Sequence, residues 1–137
     1  MGWWSGLART KRVGAAWYRE NGRIGTCVRW DGVVAARIKG RHGTYVVFGS
    51  PRALDCTCRA RHMPCPHVAA VGAEYEERPE RFDELRSSLE SLPAAHAFGE
   101  SVERLLLTNP APLLEAVERG ELGSLPALLA QQHGSVA

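Results

Sequence analysis

Three thiols and an imidazole fall within twelve residues of this 137-residue chain: Cys56-Thr57-Cys58, six intervening residues, then Cys65-Pro66-His67. That is a complete donor set for a tetrahedral Cys₃His site, and soft thiolates with one imidazole select zinc over magnesium or calcium. In an extended segment residues i and i+2 point to one side, so Cys56 and Cys58 can grip a single ion together. Cys65 and His67 would not share a face inside a helix. Ahead of the first helical turn the chain is still extended, and Pro66 suits such a start. The helix that follows then turns its partly positive N-terminus toward the thiolates. Four protein ligands leave no open position for water, which marks a structural site rather than a hydrolytic one. A disulfide is the poorer alternative, because Cys-x-Cys is badly placed for one and an odd thiol would remain. His62, between the two pairs, is the alternative to His67 as fourth ligand. The remaining cysteine, Cys27, sits among strand residues and reads as a small core residue.

The surrounding pattern predicts which elements hold these ligands. Residues 12–50 read as strands: Trp17-Tyr18, then Gly22 to Trp30 with a turn and partial alternation. Asp31-Gly32 is a strong hairpin signal. Val33 to Gly40 and Tyr45 to Phe48 are the next strands, separated by a turn at His42-Gly43. A meander of about three strands is marginal alone. Residues 51–67 show no apolar periodicity, and Val68 to about Glu77 predicts a short helix, in which Gly72 costs about 1 kcal/mol against alanine. In the second half Phe82, Leu85, Leu89 and Leu92 recur at helical spacing up to Pro93. Val102, Leu105 and Leu106 mark a helix ending near Asn109-Pro110, and Leu113, Leu114 and Val117 one ending at Gly120. Ser124 is the N-cap of a further helix carrying Leu125, Leu128 and Leu129. The expected fold class is α+β, a small antiparallel sheet plus a short helix pinned by one zinc, followed by a C-terminal bundle of short helices. The expected division is a zinc-finger domain over 1–77 and a helical acidic tail over 78–137. Replacing Cys58 with serine is then expected to release the ion and unfold residues 12–75, because metal affinity becomes folding energy.

Composition narrows the function classes. A chain of this size buries roughly 70% of its unfolded surface and can support a core without disulfides. Hydrophobic residues make up 45% and charged residues 23%, which are globular values. No apolar run reaches the ~18 residues a membrane helix needs. The start Met1-Gly2-Trp3-Trp4-Ser5-Gly6 fits neither a signal peptide nor a myristoylation site, so a cytoplasmic protein is expected. The net charge of +2 conceals a split: residues 1–70 hold twelve Lys+Arg against three Asp+Glu, and residues 71–137 hold five against twelve. The first half, at +9, suits a polyanion; the second, at −7, suits a protein partner or the basic half itself. Fifteen of the seventeen basic residues are arginine, whose fork matches phosphate. Arg37, Lys39, Arg41 and His42 lie around one turn, and Arg52, Arg59, Arg61 and His62 around the ligand spacer; a bound ion would hold the two loops together. Arg37, Arg41, Arg52, Arg59 and Arg61 are the candidate phosphate contacts, with a merely solvated basic face as the alternative. Trp17 and Trp30 are expected to pack against the sheet, with stacking on bases as the alternative for the tryptophans, and Trp3 and Trp4 to pack on the C-terminal helices or contact a partner. Nothing matches a recognition helix. No phosphate-binding Gly-rich loop, dinucleotide fingerprint or His-Glu-x-x-His motif is present, so catalysis is not expected.

The order Cys-x-Cys, spacer, Cys-x-His resembles the SWIM zinc finger. The likeness extends upstream through Tyr18, Gly22-Arg23-Ile24, Ala36-Arg37-Ile38-Lys39-Gly40, Tyr45-Val46-Val47 and Leu54-Asp55-Cys56-Thr57-Cys58, and downstream through Cys65-Pro66-His67-Val68-Ala69-Ala70-Val71. It covers about residues 12–75. The resemblance implies a short antiparallel sheet and a helix pinned by one zinc. It also implies DNA binding or protein–protein interaction beside a helicase-like ATPase or a recombinase; single- and double-stranded DNA are both left open as the partner. The family's domains occur with Swi/Snf-type helicases, in Mutator-type transposases and in a ubiquitin ligase. Such a chain is expected to act as an accessory factor in repair, recombination or remodelling, or as an adaptor without direct nucleic-acid contact.

Overall fold

The structure, a computed structural model, describes residues 9–58, 65–86 and 99–121. It opens with helix α1 (Arg9–Glu20), followed by strands β1 (Ile24–Trp30), β2 (Val33–Lys39), β3 (Thr44–Ser50) and β4 (Ala53–Cys56). Helix α2 (Pro66–Glu77), a 3₁₀ turn at Pro79–Arg81 and a two-residue strand β5 (Asp83–Glu84) come next, then helices α3 (Gly99–Thr108) and α4 (Ala111–Glu118). The class is α+β, as expected. The sheet has five strands in the order β4-β3-β2-β1-β5. Its first four are antiparallel neighbours, and β5 joins β1 in parallel, Val28 opposite Asp83.

The hairpin at Asp31-Gly32 forms as its residue types dictate. Both residues have positive φ (46° and 83°), which a two-residue type I′ turn requires, and Trp30 pairs with Val33 across it. The strand expected at Trp17-Tyr18 is instead the last turns of α1. Ala15 and Tyr18, three residues apart, face inward at helical spacing. The signal for this lay in Asn21-Gly22, of which only Gly22 is read above, as part of a strand segment with a turn. Gly22 takes φ 63° just beyond the helix, and the N–H groups of Asn21 and Arg23 bond back to the carbonyls of Trp17 and Tyr18. A left-handed residue at that place terminates a helix, and glycine adopts it without a Cβ penalty.

Both faces of the sheet are covered. On one face Ala15 and Tyr18 of α1 and Val68 to Val71 of α2 pack on Ile24, Cys27, Val34, Ala36, Ile38 and Val47. On the other, Val102, Leu105, Leu106, Leu113 and Leu114 of α3 and α4 pack on Val28, Trp30, Val33, Ala35 and Val46. Successive residues of β2 therefore enter opposite cores, which is why Val33-Val34-Ala35-Ala36 is an unbroken apolar run. The helices expected around Val102 to Leu106 and Leu113 to Val117 are present as α3 and α4. They lie on the sheet, so the acidic half folds back on the basic half. Glu118 bonds to Arg37 (2.7 Å) and to the Thr26 hydroxyl (3.0 Å), and Arg86 bonds to Asp31. Phe82 is buried, but it leads into β5 rather than a helix, and helical backbone resumes only at Leu85. Leu89, Leu92, Ser124, Leu125, Leu128 and Leu129 lie outside the described residues, as do Trp3 and Trp4. Trp30 is buried as expected, and Trp17 is half-buried at the edge of its core. No helix among the described residues is long and apolar enough to cross a membrane.

Candidate metal centre

Two local devices bring the four ligands together. The tight turn after β3 sends the chain back along it as β4, so Cys56 pairs with Val47 and the amide of Thr57 bonds to the carbonyl of Val46. Cys58 follows two residues later. On the other side Cys65 is the N-cap of α2, in extended conformation, with Pro66 in the first helical turn. The sulfur of Cys65 accepts the Val68 N–H at 3.5 Å, as a capping side chain does. The ligand atoms of Cys56, Cys58, Cys65 and His67 all lie within 4.8 Å of one another.

The spacing tests whether an ion fits. Metal–sulfur and metal–nitrogen bonds of about 2.3 and 2.05 Å at a tetrahedral angle place sulfur and nitrogen about 3.6 Å apart. The Cys56 sulfur and His67 Nδ1 are 3.6 Å apart. The group is positioned to bind one metal ion, and Cys56, Cys65 and His67 are buried around it. Among themselves the thiols share protons unevenly. The hydrogen bond from Cys56 holds Cys65 down to about 4 against the cost of its burial, and the same bond drives Cys56 upward. A bound cation deprotonates coordinating thiols outright. Cys27 takes no part in this group. It is 4% exposed in the core, and burial pushes its thiol up to about 12, as suits the inert core residue expected of it.

The surroundings of His67 were not legible in the ligand motif. Nδ1 is turned to the thiols and Nε2 lies 3.1 Å from the Tyr18 hydroxyl, so that with an ion on Nδ1 the proton would sit on Nε2 and be donated to that hydroxyl. Tyr18 comes from α1, forty-nine residues earlier, and burial pushes its phenol upward, so it stays protonated. The Tyr45 ring stacks on the imidazole (centroids 5.0 Å, 28°), and the Tyr18 ring meets it edge-on at 4.9 Å. Gly40 makes room for this stack: a Cβ there would lie 2.6 Å from the Tyr45 ring. Outer partners of this kind fix the tautomer and orientation of a ligating histidine. Tyr18→Phe is therefore expected to lower metal affinity by about 10- to 100-fold with the fold intact. Competition with a chromophoric chelator measures it, and an unchanged affinity would remove Tyr18 from the site.

The expected basic face is divided by the fold. Arg41 is exposed in the β2–β3 turn, at the end of the sheet to which β4 returns Cys56. Arg52 is exposed in the β3–β4 turn, at the opposite end of β3 and about 20 Å away along the strand. The two were expected to be held together by the ion, but the β3–β4 hairpin separates them. Arg37 faces α4, where Glu118 takes its guanidinium. Burial raises that carboxyl, but the bonds from Arg37 and Thr26 outweigh it and hold the group below the ordinary value. Arg59, Arg61 and His62 lie outside the described residues.

No protein-family model, characterised protein or solved structure matches the chain. Its own geometry is what places it: an α+β fold in which three cysteines and one histidine converge on a site for a single metal ion.

Proposed function

We propose that this chain is a structural-zinc protein of the SWIM type, acting as a non-catalytic nucleic-acid-binding accessory factor in DNA repair, recombination or remodelling. The convergence of Cys56, Cys58, Cys65 and His67 carries the zinc assignment. Four protein donors of this softness suit zinc, and their closure leaves no coordination position for a reacting water. The ion joins β4 to the start of α2, so its work is to hold the sheet and helix as one surface. The charge of the first half, +9 over residues 1–70, supports a polyanionic partner. Arg41, Arg52, Arg59 and Arg61 would contact phosphates, Arg37 being already engaged by Glu118.

That engagement favours the alternative in one respect. An adaptor docking on a helicase-like ATPase or a recombinase would need no free Arg37. Fluorescence anisotropy with labelled single- and double-stranded DNA, at low and physiological salt and with and without chelation, separates the two. Binding that requires zinc and weakens steeply with salt is the expected result. Absence of binding at low salt would overturn the nucleic-acid function and leave the adaptor.

A further inference from the structure

Two cations that no described carboxylate pairs with meet on one indole. The guanidinium of Arg23 lies 5.0 Å from the centroid of the Trp17 ring, and that of Arg41 also lies 5.0 Å from it. Arg23 follows α1 and Arg41 sits in the β2–β3 turn. The bond from the Lys39 amide to the Arg23 carbonyl (2.8 Å) brings the two segments side by side. The charges are thus within about one Debye length of each other at 0.1 M salt. Arg19, Arg37, Arg78, Arg81 and Arg86 each take an Asp or Glu. No described carboxylate lies within ion-pair distance of Arg23 or Arg41. An indole face attracts a cation but brings no counter-charge. Among the described residues nothing offsets the mutual repulsion, which an anion from outside would relieve, and Lys39, exposed at the end of β2, adds to the attraction.

Arginine selects phosphate by its fork. A guanidinium plane layered on an aromatic ring also offers a flat face on which an unpaired base can stack. A duplex hides its base faces, so a single strand uses both features. We infer that Trp17, Arg23 and Arg41 form a binding site for single-stranded nucleic acid, with a backbone phosphate between the two guanidiniums and a base stacked on the cation–indole layer. The site rests on the nucleic-acid function proposed above and supplies its contacts. The competing role for the two arginines is to offset the negative charge of an ion bound by three thiolates, reached through Tyr18, whose ring touches Trp17.

The test uses the full zinc-loaded chain and a labelled oligothymidylate strand over a range of salt, with zinc content measured on the same samples. Replacing both residues, Arg23→Gln with Arg41→Gln, is expected to make the slope of log K against log salt shallower by about 0.7, the value for the one phosphate they share. Affinity should fall at least about tenfold with zinc retained. Wild-type slope and affinity in that variant would overturn the site while leaving the nucleic-acid function standing. A wild-type chain that fails to bind the strand at low salt would overturn both. Should the Gln pair shed zinc, the Arg23→Lys, Arg41→Lys pair decides, because it keeps both charges and loses only the planar guanidinium. A severalfold loss of affinity with zinc retained supports the site. Wild-type affinity, or loss of zinc here as well, overturns it in favour of the metal-centre role.

Discussion

Cys65→Ser is expected to abolish stoichiometric metal binding and to lower the melting temperature by roughly 20 °C. Cys65 is 1% exposed and caps α2 through its sulfur. Serine is itself a strong N-cap, so the substitution keeps the cap and removes only the metal bond. In small zinc fingers binding of the whole ion amounts to about 10–16 kcal/mol and folding fails without it. Here the second core, formed by α3 and α4 on the far face of the sheet, contains none of the four ligands. Loss of the ion should therefore cost about 5 kcal/mol, a large share of an ordinary domain's stability, without erasing all structure. That narrows the expectation that a lost ligand unfolds residues 12–75 entirely. Hydrogen exchange should rise most in β4, the start of α2 and the end of α1, and least where β1 and β2 face α3 and α4. Because the ligands bind deprotonated, acidification of the wild type should release metal in the same way, and the variant should show no such step. A serine variant that keeps zinc and its melting temperature would show that Cys65 is not a ligand.

Glu74→Ala is expected to destabilise the protein by about 3 kcal/mol without loss of metal. Glu74 is 3% exposed on α2, and its carboxylate meets Arg19 of α1 (3.7 Å), Arg78 (3.8 Å) and Arg81 (3.2 Å). Arg81 also bonds to the carbonyl of Ile24, so one buried carboxylate ties α1, α2 and β1 together. Removing it leaves Arg19 with only the exposed Glu77 and Arg81 partly buried without its counter-charge. Their remaining exposure, 19% and 37%, keeps the cost at the low end of that for a broken buried pair. Glu77 also bonds to Arg19, but its side chain is 60% exposed. Glu77→Ala should cost under about 1 kcal/mol. Urea unfolding of the two variants measures the contrast. Equal and small effects would show that water accommodates the arginines and that burial of Glu74 does not matter.

The metal ligands and several element ends were legible because their causes are local. Cys56 to His67 span twelve residues, and the i, i+2 geometry of an extended chain with a proline at a helix start suffices to aim them. The Asp31-Gly32 turn, the stop of α3 at Asn109-Pro110 and the stop of α4 at Gly120 are likewise settled within a few residues. Trp17-Tyr18 misled because aromatic residues carry a strand preference that packing against α2 overrides. β4 and β5 were invisible for a related reason: four- and two-residue strands are too short to show alternation and exist only through the partners beside them. Tertiary structure alone decided that Tyr18 and Tyr45 enclose His67, that Arg23 joins Arg41 on Trp17, that Arg52 is carried to the far end of β3 and that Glu118 takes Arg37. In each case the partners come from separate elements, and a side chain's neighbours across that distance follow from how helices and sheet stack, not from the spacing of residues along the chain.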